Sequence, residues 1–177
     1  MSELKKIEGK YIYRGKIINL RVDRVSLPSG RETIREVVEY RGSVAILPLF
    51  ENGDVLLLKQ FRYPVGEGLI ELPAGKIEEG EDSRFTAERE LEEETGYRAA
   101  EMEKIASFYL APGYSTEEMH LFVARDLQKS STNLDFDEII EPFRAGKGEI
   151  EGLLKEGRIK DAKTLLALYY YLLEEGS

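Results

Sequence analysis

Gly75-Lys-Ile-Glu-Glu-Gly-Glu81-Asp-Ser-Arg-Phe-Thr-Ala-Glu-Arg89-Glu90-Leu91-Glu-Glu93-Glu94-Thr-Gly96-Tyr97 is the stretch on which the reading of this chain turns. Asp82 or Ser83 suits a helix N-cap, where a short oxygen-bearing side chain accepts from the unpaired amides of the first turn. Gly96 suits the end, where a left-handed residue lets the chain leave the last carbonyls. The stretch therefore predicts a helix running to about Thr95. At about 100° per residue, Glu90, Glu93 and Glu94 fall within one arc of about 100°. Like charges at three- and four-residue spacing repel one another, and a run of this kind is ordinarily a solvated face. Two features argue otherwise. The helix has few apolar residues (Phe85, Ala87, Leu91) with which to join a core, and a strand ending in the constrained Leu72-Pro73-Ala74-Gly75 loop leads straight into it. A bound cation would remove the repulsion, and carboxylate oxygens suit Mg²⁺ or Mn²⁺.

Working outward, apolar runs mark the flanking strands. Ser43 to Phe50 suits a buried strand, Glu51-Asn52-Gly53-Asp54 a hairpin turn, and Val55 to Phe61 the returning strand. Leu69 to Leu72 forms a short strand, and further strands are expected near 103–110, 118–126 and 138–144. Asp161 to about Glu174 has helical spacing of apolar residues. Before all of these, residues 11–27 alternate as a strand, Pro28-Ser29-Gly30 turns, and Thr33 to Tyr40 returns. Such a two-stranded unit is marginal alone and needs a surface to pack on. The order predicts an α+β fold, not repeated βαβ units. It divides into an N-terminal β unit, residues 1–42, and a main domain, residues 43–177.

Composition narrows the function. The 177 residues are 42% hydrophobic and 33% charged, and 25 Lys+Arg against 34 Asp+Glu give a formal charge of −9. A negative field disfavours nucleic acid and anionic membranes. A small anionic substrate remains compatible, because bound divalent ions reverse the local field. The chain has no cysteine, which excludes disulfides and thiolate metal sites. No window reaches the roughly 18 apolar residues of a membrane span, and MSELKKIEGK does not read as a signal peptide. The expected location is cytoplasmic.

Read as Gly, five residues, Glu, seven residues, then Arg-Glu-aliphatic-any-Glu-Glu-any-Gly-hydrophobic, residues 75–97 resemble the box of the Nudix hydrolases. Gly75, Glu81, Arg89, Glu90, Leu91, Glu93, Glu94 and Gly96 all match, and Tyr97 stands where aliphatic residues are commoner. The resemblance implies an αβα sandwich with mixed sheets and metal-assisted hydrolysis of a nucleoside diphosphate linked to another moiety. It implies that Glu90 and Glu94 hold Mg²⁺ (Mn²⁺ possible) with Glu93 in support, and that the Ala74 carbonyl is a further ligand. Arg89 is implied to orient a glutamate through a salt bridge, and Glu81 to play a structural part.

Outside the box, several segments are similar to the ADP-ribose pyrophosphatases of that family. They are Tyr13-Arg14-Gly15, Arg35-Glu36 with Glu39, Gln60-Phe61-Arg62, Glu71-Leu72-Pro73-Ala74-Gly75, Leu110-Ala111-Pro112-Gly113 and Ser115-Thr116-Glu117. The resemblance implies that Arg62 meets the substrate's phosphates or ribose and that Pro112 and Gly113 line the terminal ribose. Arg35 and Glu36 are implied to act from exchanged N-terminal strands in a homodimer. Lys16-Ile17 departs from the pattern, since relatives place an adenine-stacking aromatic there. In Asp135-Phe136-Asp137-Glu138-Ile139-Ile140-Glu141, Glu138 aligns best as the acid that accepts a proton, with Asp137, expected to bind metal, and Asp135 close behind. His120 alternates within a strand and reads as structural. The expected reaction is hydrolysis of ADP-ribose to AMP and ribose 5-phosphate, with two or three Mg²⁺ per site. The alternatives are another diphosphate substrate (a nucleotide sugar, NADH or a dinucleoside polyphosphate) and a non-catalytic nucleotide-binding module, which the intact box disfavours.

Overall fold

Six consecutive uncharged residues, Ser43–Pro48, form strand β4, and all six are buried. A strand covered on both faces belongs inside a sheet with a layer on each side. The computed structural model describes residues 3–133 and 139–174, and in it β4 is an inner strand of a four-stranded sheet. It lies between β7 (Ala74–Lys76) and β9 (Glu118–Lys129), with β8 (Tyr97–Tyr109) beyond β9. The β4–β7 pair is antiparallel and the β4–β9 pair parallel, so this sheet is mixed. A second sheet, all antiparallel, places β5 (Val55–Arg62) between β10 (Ile140–Ala145) and β6 (Glu67–Glu71).

Helix α1, Ser83–Thr95, starts where local chemistry requires. The Asp82 carboxylate accepts from the Arg84 and Phe85 amides, each at 2.9 Å. It ends at Gly96, whose φ of 71° is left-handed backbone that glycine adopts without strain. Ala87 and Leu91, one turn apart, pack with Val44, Ile46, Met102, Phe122 and Ala124. Phe85 does not join them: it is 54% exposed. Six residues separate it from Leu91, a rotation of about 240°, so it leaves the helix on another side.

Helix α3, Ala162–Glu174, packs against β4 and β6. Because side chains alternate along a strand, Val44 and Ile46 serve the α1 layer while Ala45 and Leu47 point to the other face. This is the expected αβα layering. The Tyr171 hydroxyl donates to the Gly53 carbonyl at 2.9 Å, tying α3 to the β4–β5 turn. Helix α2, Lys147–Lys155, buries Ile150 and packs on α3. Sequence patterning did not anticipate it, since Gly148 and Gly152 interrupt its apolar spacing.

The N-terminal unit has three antiparallel strands where two were expected: β1 (Lys5–Arg14), β2 (Asn19–Ser26) and β3 (Glu32–Glu39). The apolar alternation over 11–27 spans a reversal, closed by the Gly15 amide donating to the Ile18 carbonyl at 3.0 Å. By contacts, residues up to Gly42 form one compact unit together with Phe108–Glu118, and Ser43–Ser107 with the chain from Met119 forms the other. Within the first, the Val38 amide donates to Tyr114 at 2.8 Å and the Thr116 amide to Val38 at 3.0 Å. No helix among the described residues is long and apolar enough to cross a membrane.

Leu91 is fully buried in the α1 layer. Leu91→Ala should lower unfolding free energy by about 2–5 kcal/mol, measured by urea denaturation; a loss under about 1 kcal/mol would contradict this packing.

Candidate active site

The strand–turn–helix geometry brings the box residues to the corner between β7 and α1. Gly75 leaves the space of a side chain to the end of Glu90. A Cβ at that position would stand 1.9 Å from both Cδ and Oε1 of Glu90. The Glu90 carboxylate thus lies directly on the β7 backbone. One turn further, the Ala74 amide donates to Oε2 of Glu94 at 2.9 Å, and Glu94 is 3% exposed. Two helix carboxylates are therefore seated on two consecutive residues of one strand.

Arg89 organises the rest. Its Nε and Nη2 donate to the two oxygens of Glu81 at 3.1 and 3.0 Å. Its Nη1 donates to Glu90 at 2.9 Å and to Glu93 at 2.8 Å. Burial alone would make this guanidinium less basic, but the Glu81 hydrogen bonds, the charge of Glu90 and the Glu93 hydrogen bond outweigh it, and its pKa is raised. Glu81 responds in the opposite sense. Its hydrogen bonds from Arg89 outweigh desolvation, Thr86 and the Glu78 amide add to them, and its carboxyl is held below the ordinary range. Arg89 stands between Glu90 and Glu93, and among the described residues no three acidic or histidine side chains gather around one point as a ready ligand set.

Arg62 reaches the same part of the main unit from β5. It is gripped by Glu71 through two 2.8 Å hydrogen bonds, Nε to one carboxylate oxygen and Nη2 to the other. Lys163 of α3 binds the same carboxylate. Sequence reading gives Glu71, Lys163 and Asp161 no role. The usable signals were a carboxylate interrupting the apolar run Leu69-Ile70-Glu71-Leu72 and a lysine in the first turn behind a capping Asp161.

Tyr97, the box's unusual last residue, packs edge-on against Phe50 with centroids 5.4 Å apart. Its hydroxyl accepts from Arg144 at 3.0 Å. An aliphatic residue would fill the space but leave Arg144 without that acceptor. His120 lies on β9 with Nδ1 2.7 Å from the Ser107 hydroxyl. Arg35 and Glu36 are exposed on β3, and Pro112 and Gly113 are exposed in the loop that hydrogen-bonds to that strand, so these four belong to the N-terminal unit. Asp135, Asp137 and Glu138 lie outside the described residues. Before them, the Asn133 amide donates to the Glu93 carbonyl at 3.1 Å; after them, Ile140 pairs with Gln60.

Residues 39–166 match the family description "NUDIX domain", and residues 5–38 match "Nucleoside diphosphate sugar hydrolase N-terminal domain". The chain is 41% identical over 175 residues to the ADP-ribose pyrophosphatase of Bacillus subtilis (strain 168), covering 98% of this chain and 95% of that one. It is also 41% identical over 177 residues to the methanol dehydrogenase activator of Bacillus methanolicus, covering 99% and 96%. A solved structure, "Crystal structure of ADP compounds hydrolase", superposes with a TM-score of 0.87 over 98% of this chain and 94% of that one. At 22% identity it speaks for the fold alone.

The depressed Glu81 pKa has a pH signature. A carboxyl titrating lower in the folded chain contributes stability above its unfolded value, and that contribution is lost as pH falls through the folded value. Glu81→Gln should therefore lower the melting temperature at pH 7. The gap from the parent should close as pH drops below the ordinary glutamate value of 4.5. A pH-independent gap in thermal melts would contradict the Arg89–Glu81 account.

Proposed function

The chain belongs to the Nudix hydrolase family, and on that premise we propose that it is a cytoplasmic enzyme hydrolysing the diphosphate of ADP-ribose to AMP and ribose 5-phosphate. The observation that carries this is the pair of helix carboxylates, Glu90 and Glu94, seated on the Gly75 and Ala74 backbone beside the Arg89 hub. The choice of ADP-ribose is supported by the 41% identity, over nearly the whole of both chains, to a relative named for that activity.

The donor set fits a hard divalent cation: two carboxylates one turn apart, adjacent to backbone that can offer a carbonyl. Glu90, Glu94, the Ala74 carbonyl and Asp137 would hold Mg²⁺, with Mn²⁺ an acceptable substitute and two or three ions per site. Bound there, such ions supply charge neutralisation on the diphosphate and a lowered pKa for water. The protein's own groups do the remaining work. Arg89 fixes the rotamers of Glu90 and Glu93 by hydrogen bonds to both, and Glu93 supports the metal-binding pair. Arg62 binds the diphosphate, to which a guanidinium fork is matched. Glu138 takes the proton of the attacking water. Support for that last role comes from the neighbouring residues, held at one end to α1 through Asn133 and at the other to β5 through Ile140.

Pro112 and Gly113 line the terminal ribose, and Arg35 and Glu36 act on the substrate of a second subunit in a homodimer with exchanged N-terminal strands. Ile7, Ile12 and Ile34 are exposed on the N-terminal sheet, which supports its burial against another copy. A nucleoside diphosphate sugar is the second reading, favoured by the match of residues 5–38 to the N-terminal domain of nucleoside diphosphate sugar hydrolases.

Release of the nucleoside monophosphate, followed across ADP-ribose, nucleotide sugars, NADH and dinucleoside polyphosphates, tests the assignment. ADP-ribose should rank among the best substrates, and a clear preference for a nucleotide sugar would select the second reading. Glu94→Gln keeps an oxygen for the Ala74 amide but loses the charge, so kcat should fall about 100-fold or more with the melting temperature little changed. Gly75→Ala should also keep the fold, because only the flexible end of Glu90 must move. Turnover should nevertheless fall about 100-fold through the misplaced carboxylate. Full activity in either variant would remove these glutamates from the mechanism.

A further inference from the structure

Glu71 is 1% exposed at the end of β6. A carboxylate is almost never so buried without partners, and this one has three donors: Nε and Nη2 of Arg62 and the ammonium of Lys163. Lys163 is itself out of place. It is buried in the first turn of α3, where the helix dipole disfavours a cation. Asp161 offsets this with an oxygen 2.9 Å from the Lys163 ammonium, while its other oxygen accepts from the Thr164 amide and hydroxyl. Thr164 in turn accepts from the Leu72 amide at 2.9 Å. The start of α3 is thereby bolted to residues 71 and 72, two positions before the amide that holds Glu94.

Stability alone does not call for this construction, because buried ion pairs can often be exchanged for apolar side chains at no loss. Its visible consequence is directional. Two of Arg62's five N–H groups are committed to Glu71, and the side chain is still 38% exposed. The guanidinium is thus locked along one edge and open along another. Its pKa is raised, first by the Glu71 hydrogen bonds and also by the charges of Glu94 and Asp161, so it lies within the field of a site carboxylate.

We propose that Glu71, braced by Lys163, is a positioning residue that aims the Arg62 guanidinium at the substrate's diphosphate; this rests on the diphosphate hydrolase reading above. Glu71 does not touch the substrate. It removes the rotamer freedom that Arg62 would otherwise lose on binding, so its effect belongs in substrate affinity more than in turnover.

The test is a double-mutant cycle on the full chain, with KM and kcat for ADP-ribose read from AMP release and folding read from thermal melts. Glu71→Gln and Arg62→Ala should each raise KM about tenfold with kcat changed far less. In the Arg62→Ala background, Glu71→Gln should add nothing to KM. A folded Glu71→Gln variant with parental KM, or effects that multiply in the double variant, would overturn the proposal. Should Glu71→Gln not fold, Glu71→Asp keeps the charge but draws its oxygens back. It should raise KM in the same way and lose that effect without Arg62, and unchanged KM would again overturn the clamp. If the parent chain does not hydrolyse ADP-ribose, the functional reading fails independently. Calorimetric titration with ADP then carries the test: binding about tenfold weaker in the Glu71 variant supports the clamp, and equal binding ends it.

Discussion

Four carboxylates, Glu81, Glu90, Glu93 and Glu94, are crowded onto one helix and its approach, and Arg89 is what makes that tolerable. Its guanidinium donates to three of them at 2.8–3.1 Å. The fourth, Glu94, is held by a backbone amide. Lysine could not substitute, because a single ammonium lacks the planar fork that reaches Glu81 on one edge and Glu90 and Glu93 on the other. From this hub the local architecture follows. Glu81 anchors the loop before α1, Glu90 is pressed onto Gly75, and α1 is fixed to β7 at the point where β7 joins the central sheet.

What was legible in the sequence is what is decided locally. Asp82 and Gly96 cap α1 through contacts within four residues, so the helix limits could be read directly. The shared face of Glu90, Glu93 and Glu94 follows from helix geometry alone. The apolar runs of β4 and β5 and the hairpin at Asn52-Gly53 were equally plain. The losses have physical causes. Two glycines mask the apolar face of α2, and the reversal at Gly15 sits inside an alternation that reads as continuous. Phe85 counts as apolar in a tally but leaves the helix away from the sheet.

The site was less legible where it depends on distant residues. That Gly75 matters could be read from its motif; that it matters because the Glu90 carboxylate occupies the space of a Cβ could not. Lys163 and Glu71 are 92 positions apart. Their pairing arises only because α3 covers the β6 end of the main unit, and no sequence window contains both. The same distance explains why Arg62 reads from sequence as a substrate-binding arginine but not as one already held on one edge. Local rules set the acidic face expected to bind metal, whereas the tertiary fold sets the direction of the cation expected to meet the phosphates.

The central claim is that the diphosphate lies between the Arg62 guanidinium and the Glu90–Glu94 face of α1. A crystal structure of the chain with Mg²⁺ and a non-hydrolysable ADP-ribose analogue measures this directly. The account predicts phosphate oxygens within hydrogen-bond distance of Arg62, whose other edge stays on Glu71, and metal ions joining those phosphates to Glu90 and Glu94. A diphosphate bound elsewhere, or Arg62 released from Glu71 to reach it, would contradict the account.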